Sequence, residues 1–287
     1  MAGMTGGRSR FVLTAVALGV FTLAGCDSLK EKGVGPGGTS LENYTAEQIF
    51  ERGEYELSVQ DAEEAALYFS EIERLYPYSD WAKRALIMQA FAHHQDKQYE
   101  EARSAAQRFI DFYPADDDAA YAQYLLALSY YDQIELVGRD QGLTFQALQA
   151  LRTVIERYPD SEYARSSILK FDLAFDHLAG KEMEIGRYYL KRDHFGAAIN
   201  RFRVVVEDFQ TTSHTAEALH RLVESYLSLG LIEEAQTAAA ILGHNYQSSD
   251  WYQDSYKLLK GQGLEPAFFS GNWLASSYRQ SIKGQWL

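Results

Sequence analysis

Cys26 is the only residue of this 287-residue chain capable of thiolate chemistry. A lone thiol can act as a nucleophile or carry a covalent attachment, but it cannot close an internal disulfide. The other groups with chemical potential are dispersed. Among the seven histidines the one close pair is His93-His94, and neighbours on a helix point about 100° apart, a poor arrangement for holding one metal ion. Asp116-Asp117-Asp118 stands at a segment boundary, where carboxylates cap the next helix more readily than they bind calcium. Gly33, Gly35 and Gly38 match G-x-G-x-x-G, but a lysine-rich polar run precedes them and Pro36 lies inside. A dinucleotide fingerprint needs a strand before it and a helix at its third glycine. No H-E-x-x-H, G-x-S-x-G or phosphate-loop pattern occurs. These observations give no sign of catalytic residues, a metal or a cofactor, and so no sign of an enzyme.

The surroundings of Cys26 give it a different task. Arg8 and Arg10 precede an apolar run from Phe11 to Ala24, which is shorter than the roughly 20 residues a membrane span needs and suits a signal peptide. Leu23-Ala24-Gly25-Cys26 resembles a bacterial lipobox. The resemblance implies removal of residues 1–25, a diacylglycerol on the Cys26 sulfur and an acyl chain such as palmitate on its amine. Each buried methylene contributes about 0.8 kcal/mol, so several chains together hold the protein to a membrane. Residues 26–44 then read as a flexible tether, D-S-L-K-E-K-G-V-G-P-G-G-T-S-L-E-N-Y after the cysteine, spanning about 23 Å as a coil. The formal charge of −13 argues against nucleic acid, which wants a basic face, and against a polybasic membrane contact.

The rest of the chain is periodic. Five segments close on an aromatic residue followed by proline or polar residues: Tyr76, Tyr113, Tyr158, Phe209 and Tyr246, spaced by 37, 45, 51 and 37 residues. Eleven residues before each stands alanine: Ala65, Ala102, Ala147, Ala198 and Ala235. Seven before stand Phe69, Ala106, Leu151, Phe202 and Ala239, and four before stand Ile72, Phe109, Val154, Val205 and Leu242. Offsets of 4, 7 and 11 share one face of an α-helix. A second small position, Gly53, Ala90, Ala127 or Gly186, lies upstream in the first four repeats, while the fifth carries Val223. Two helices per repeat with small residues at their contact make the tetratricopeptide pattern. The expected fold is all-α, a superhelical solenoid of about five helix pairs. The extra residues of the third repeat fall at the Leu136–Gly142 loop, and those before Phe209 predict one long helix over 161–192, broken at most near Gly180.

In such a fold the first helix of each pair lines the concave face. Counting from the small positions places Glu47, Phe50, Glu54 and Leu57, then Arg84, Ile87, Phe91 and His94, then Tyr121, Tyr124, Leu128 and Tyr131 inward. A groove bearing Phe50, Phe91, Tyr121, Tyr124 and Tyr131 suits an extended peptide with aromatic anchors. The same rings could equally pack as core between helices.

The lipobox, the tether and five repeats, together with R-Y-P-D-S-E-Y (Arg157 to Tyr163), G138-R-D-Q141, G186-R-Y-Y-L-K-R192, A197-A-I-N-R-F202 and L242-G-H-N-Y-Q-S-S-D-W-Y252, resemble the BamD family. These are tetratricopeptide lipoproteins of the machinery that assembles β-barrel proteins in the bacterial outer membrane. The resemblance implies a non-enzymatic scaffold on the periplasmic side. It implies capture of the aromatic-ended C-terminal signals of unfolded outer membrane proteins by the N-terminal repeats (residues 45–161). It also implies docking of the C-terminal repeats (162–260, followed by a tail, 261–287) on a POTRA domain of the barrel-forming subunit, beside accessory lipoproteins. Arg201 matches the family arginine that pairs with a POTRA glutamate; physics alone reads it as a solvated arginine on a helix face. Asp27, after the cysteine, keeps an inner-membrane address open beside the outer membrane. The alternative function is another envelope tetratricopeptide lipoprotein that scaffolds peptidoglycan enzymes.

Overall fold

The computed structural model describes residues 40–282. Cys26, Asp27 and the tether before Ser40 lie outside the described residues. So does the tail beyond Ile282.

The described residues form twelve α-helices: α1 (Ala46–Ser58), α2 (Ala62–Leu75), α3 (Asp80–Gln95), α4 (Tyr99–Phe112), α5 (Ala119–Tyr131), α6 (Gly142–Arg157), α7 (Glu162–Leu190), α8 (Phe195–Asp208), α9 (Thr215–Leu229), α10 (Ile232–Asn245), α11 (Asp250–Gly261) and α12 (Trp273–Ile282). Each packs on the next through α10, so the chain builds five antiparallel pairs in sequence. α7 runs for 29 residues without interruption, and Gly180 lies buried inside it. The extra length of the third repeat is the connection between α5 and α6.

The junctions follow one rule. Tyr76, Tyr113, Tyr158, Phe209 and Tyr246 are the C-caps of the second helices. The carbonyl of each accepts the backbone N–H three residues on, from Ser79, Asp116, Ser161, Thr212 and Ser249, at 3.0–3.1 Å. Three of those residues are serines, and each caps the following helix through its hydroxyl. Ser161 Oγ accepts from the Ala164 N–H at 3.1 Å and donates to the Tyr158 carbonyl at 2.8 Å, so one side chain ends α6 and starts α7. Ser161→Ala is expected to cost about 1 kcal/mol, read as a lower urea midpoint; an unchanged midpoint would show the cap to be idle. At the aspartate run the expectation is met only in part. Asp118 holds the N-cap position of α5 but makes no side-chain cap. Asp116 does the bonding instead, accepting from the Asp118 N–H at 3.0 Å and from Lys83 Nζ at 2.7 Å.

The residues 4, 7 and 11 before each closing aromatic are all fully buried. Within a pair, large faces small. A Cβ on Gly53 would lie 2.6 Å from the Phe69 ring, and one on Gly186 would lie 2.4 Å from the Phe202 ring. Where the second helix carries alanine at that place, Ala106 or Ala239, the first helix carries Ala90 or Val223 in the same buried cluster. Glycine is costly inside a helix, by about 1 kcal/mol against alanine. Here it admits a phenyl ring that buries far more apolar surface.

Two ends differ from the sequence reading. The last residues of the tether are docked: Leu41 is buried in a 3-10 turn (Leu41–Asn43) and the Tyr44 carbonyl accepts from the Tyr76 hydroxyl at 2.5 Å. The expected tail contains α12, which packs on α10. Trp273 Nε1 donates to the Tyr226 hydroxyl at 2.7 Å, and Leu274 and Ala275 are buried. With α11 it covers the apolar end that a stack of repeats otherwise exposes.

Candidate functional site

The first helices of neighbouring repeats touch one another, α1 with α3, α3 with α5 and α5 with α7, whereas the second helices make no comparable contact. Helices on the inside of a curve are crowded together, so the first helices line the inner face. Lys83 to Asp116 (2.7 Å) ties α3 to the junction after α4, and Arg108 to Glu73 (3.0 Å) joins side chains of the second helices α4 and α2.

The predicted groove residues divide on this face. Phe50 is 2% exposed, its ring 5.3 Å from Phe69 and 5.0 Å from Trp81. It is a core residue and presents no ring to a ligand. The counting rule failed there because Trp81 of the next helix and the Arg84 guanidinium, 4.9 Å from the Phe50 ring centre, cover the position. Ile87 is also core. Phe91, Tyr121, Tyr124 and Tyr131 are half-buried, with one side on the core and the other toward solvent.

The structure gathers three of these four around two residues that the groove assignment did not include. Tyr163, in the first turn of α7, lies 5.2 Å from Tyr121 and 5.4 Å from Tyr124 between ring centres. One further stretch along α7, Lys170 places its ammonium 5.9 Å from the Tyr124 ring centre and 5.7 Å from that of Tyr131. Phe91 joins the same cluster as Tyr121 from the α3 side. Burial, with help from Tyr163 and Tyr124, pushes the Tyr121 phenol up to about 12, so it stays a neutral hydrogen-bond donor throughout the physiological range. Tyr163 and Lys170 were visible in principle. Residues 163, 167, 170 and 174 recur at helical spacing, and Ser167 and Ala174 between them are buried.

The ionisable groups singled out from the sequence go elsewhere. His93 Nδ1 sits 3.0 Å from Gln98 Oε1, and burial lowers its pKa. His94 Nε2 lies 3.0 Å from Asp132 Oδ2. The two imidazoles thus serve different partners. No group of three His, Cys, Asp or Glu able to hold a metal occurs among the described residues, and no helix there is long and apolar enough to cross a membrane.

Arg201 stands apart from this face, on the second helix α8. Its Nη1 lies 3.0 Å from Glu182 Oε2 of α7, and the side chain remains 42% exposed. α7 therefore serves two surfaces. Its N-terminal half carries Tyr163 and Lys170 against α5, and its C-terminal half buries Ala179 and Met183 against α8 and α9 and pairs with Arg201. Arg187 to Glu217 (2.7 Å) and Arg221 to Glu217 and Glu224 (3.3 and 2.7 Å) extend the ion pairs along this C-terminal part. Among the described residues the arrangement gathers rings, hydroxyls and cations on these two surfaces.

A family model described as "Outer membrane lipoprotein" (YfiO) matches residues 42–241. The outer membrane protein assembly factor BamD of Caulobacter vibrioides is 46% identical over 261 residues, covering 91% of this chain and 84% of the relative. That of Rickettsia prowazekii is 42% identical over 251 residues, covering 87% and 96%. Among solved structures, a thermophilic TPR protein of Thermus thermophilus is similar over 75% of this chain and 100% of its own, at 18% identity and a TM-score of 0.37. Matched along most of its length, this scaffold of paired helices belongs to the BamD (YfiO) family of outer membrane assembly lipoproteins, a non-enzymatic family.

Proposed function

We propose that this chain works within the outer membrane β-barrel assembly complex as a two-sided adaptor. The inner face of α3, α5 and the start of α7 holds the C-terminal signal of an unfolded outer membrane protein. The α7–α8 surface around Arg201 docks on a POTRA domain of the barrel-forming subunit, and accessory lipoproteins complete the assembly. The observation that carries the reading is the continuous run of half-buried rings, Phe91, Tyr121, Tyr124, Tyr131 and Tyr163, on the crowded side of the solenoid. Rings packed on one side and open on the other are pre-organised anchors, and they lose little conformational freedom when a peptide covers them.

For docking, the support is an exposed cation whose partner among the described residues is Glu182, in a partly exposed ion pair. Such a pair contributes about 0–1 kcal/mol to the fold, so Arg201 is free in energetic terms to turn toward a partner carboxylate. The test is a pull-down of tagged full-length protein from mild-detergent membrane extracts. Arg201→Glu is expected to release a POTRA-bearing barrel protein while leaving the helical signal and melting temperature nearly unchanged. The double variant Arg201→Glu with Glu182→Arg restores the internal pair with its charges exchanged, and is expected still to lack the partner. Recovery of the partner by the double variant would mean that Arg201 only holds α8 to α7. Recovery of cell-wall enzymes in place of a barrel protein would overturn the adaptor reading.

A further inference from the structure

We infer that Lys170 receives the free α-carboxylate of the peptide held on the inner face, while the peptide's terminal aromatic ring lies among Tyr121, Tyr124 and Tyr163. The inference rests on the capture reading above and adds to it a specific end of the ligand and the residue that reads it.

The first support is the state of the ammonium. In a chain of net charge −13, several lysines and arginines near the repeat contacts pair with carboxylates, as Lys83 does with Asp116, Arg187 with Glu217 and Arg201 with Glu182, while Arg84, like Lys170, lies over two rings. Lys170 makes no ion pair among the described residues. Its neighbours are the faces of Tyr124 and Tyr131. A cation held on two rings gives up part of its water, so an arriving carboxylate meets a less hydrated partner than an exposed lysine offers. The resulting charge-assisted hydrogen bond is about twice as strong as a neutral one.

The second support is the surrounding donors. The hydroxyls of Tyr121, Tyr124 and Tyr131 make no hydrogen bond among the described residues. The high pKa of Tyr121 keeps its phenol neutral, so no phenolate opposes an anion there. The third is proximity. The ammonium and the Tyr121–Tyr124–Tyr163 ring set share Tyr124 as a common member, so a single terminal residue can place its carboxylate on the one and its ring on the other. An internal aspartate or glutamate could supply the anion, but it would have to bring its neighbour's ring to the same place across a further stretch of backbone.

The test uses the full-length protein in mild detergent and a ten-residue peptide of alternating polar and apolar residues ending in phenylalanine, labelled at its N-terminus and titrated by fluorescence anisotropy. It is made as the free acid, as the C-terminal amide, and as an amide with glutamate before the phenylalanine. The free acid is expected to bind about tenfold more tightly than the simple amide, a difference of about 1.4 kcal/mol. Lys170→Met and Lys170→Gln are expected to abolish that preference without changing the amide's affinity, and Lys170→Arg to keep it. Arg203→Ala, which removes a cation held over the Trp273 ring on the second helix α8, is expected to leave the preference intact. Equal binding of acid and amide by the wild type, or a preference that survives Lys170→Met and Lys170→Gln or disappears in Arg203→Ala, overturns the assignment while leaving peptide capture standing. Binding of the glutamate-containing amide as tight as the free acid overturns it in favour of an internal acidic residue. Failure of every peptide to bind overturns both this inference and the capture reading.

Discussion

Phe202→Ala is expected to destabilise the C-terminal repeats by about 3–5 kcal/mol, the range for removing a fully buried phenyl ring. Phe202 has no exposed surface and fills the place left open by Gly186, with Ala179, Met183, Val205 and Leu222 in the same cluster. The cavity would lie between two long helices that the rest of the pair holds apart, so collapse around it is limited. Because a solenoid is stabilised by neighbour contacts, the loss should concentrate in α7 to α10. Hydrogen exchange should therefore quicken there, with the first two repeats changing little. The partner glycine gives a sharper test. Gly186→Ala alone forces a Cβ to within 2.4 Å of the Phe202 ring, an overpacking that costs on the order of 1–3 kcal/mol. The double variant, Gly186→Ala with Phe202→Ala, re-creates the pairing that Ala90 and Ala106 use in the second repeat. It should be less destabilised than the two single losses combined, with a coupling of about 0.5–3 kcal/mol. Strict additivity in urea denaturation would falsify the complementary-volume account of the repeat.

Cys26→Ser, expressed behind a signal peptide that is cleaved without lipidation so that the apolar Phe11–Ala24 run is not retained, is expected to transfer the protein from the membrane fraction to the soluble periplasmic fraction once partner contacts are removed by a high-salt wash. The lipobox resemblance assigns three acyl chains to this residue. At about 0.8 kcal/mol per buried methylene, one chain gives marginal and reversible binding while several hold firmly. The substitution removes all of them by deleting the sulfur from which the processing begins. No compensating attraction is evident: the chain carries −13, and a negative bilayer surface attracts lysine and arginine clusters rather than carboxylates. Retention of Cys26→Ser on salt-washed membranes would show that something other than the lipid holds the protein there. The same variant separates anchoring from binding, since the groove and Arg201 lie on a body joined to Cys26 only through the tether.

Much of this protein can be read from one dimension. The offsets of 4, 7 and 11 from each closing aromatic are set by the 3.6-residue turn of a single helix. They therefore appear in sequence as alanine, then Phe69 or its equivalents, then Ile72 or its equivalents, and all prove buried. The long α7 was legible for the same local reason: no proline and no glycine cluster interrupts residues 162–190. Only the tertiary structure decided what each first helix shows to solvent. Phe50 and Tyr124 occupy equivalent positions in their repeats, yet Phe50 is sealed by Trp81 and Arg84 while Tyr124 meets Tyr163 and Lys170 and stays half open. That difference is set by the next repeat, through Trp81 and Arg84 in one case and Tyr163 and Lys170 of α7 in the other. The same holds for the Lys83–Asp116 and Arg201–Glu182 pairs, whose members lie 33 and 19 residues apart. Helical periodicity fixes which side of a helix is apolar; the angle and reach at which the next helix stacks fix how much of that side is covered, and that depends on residues too distant for any local pattern to register.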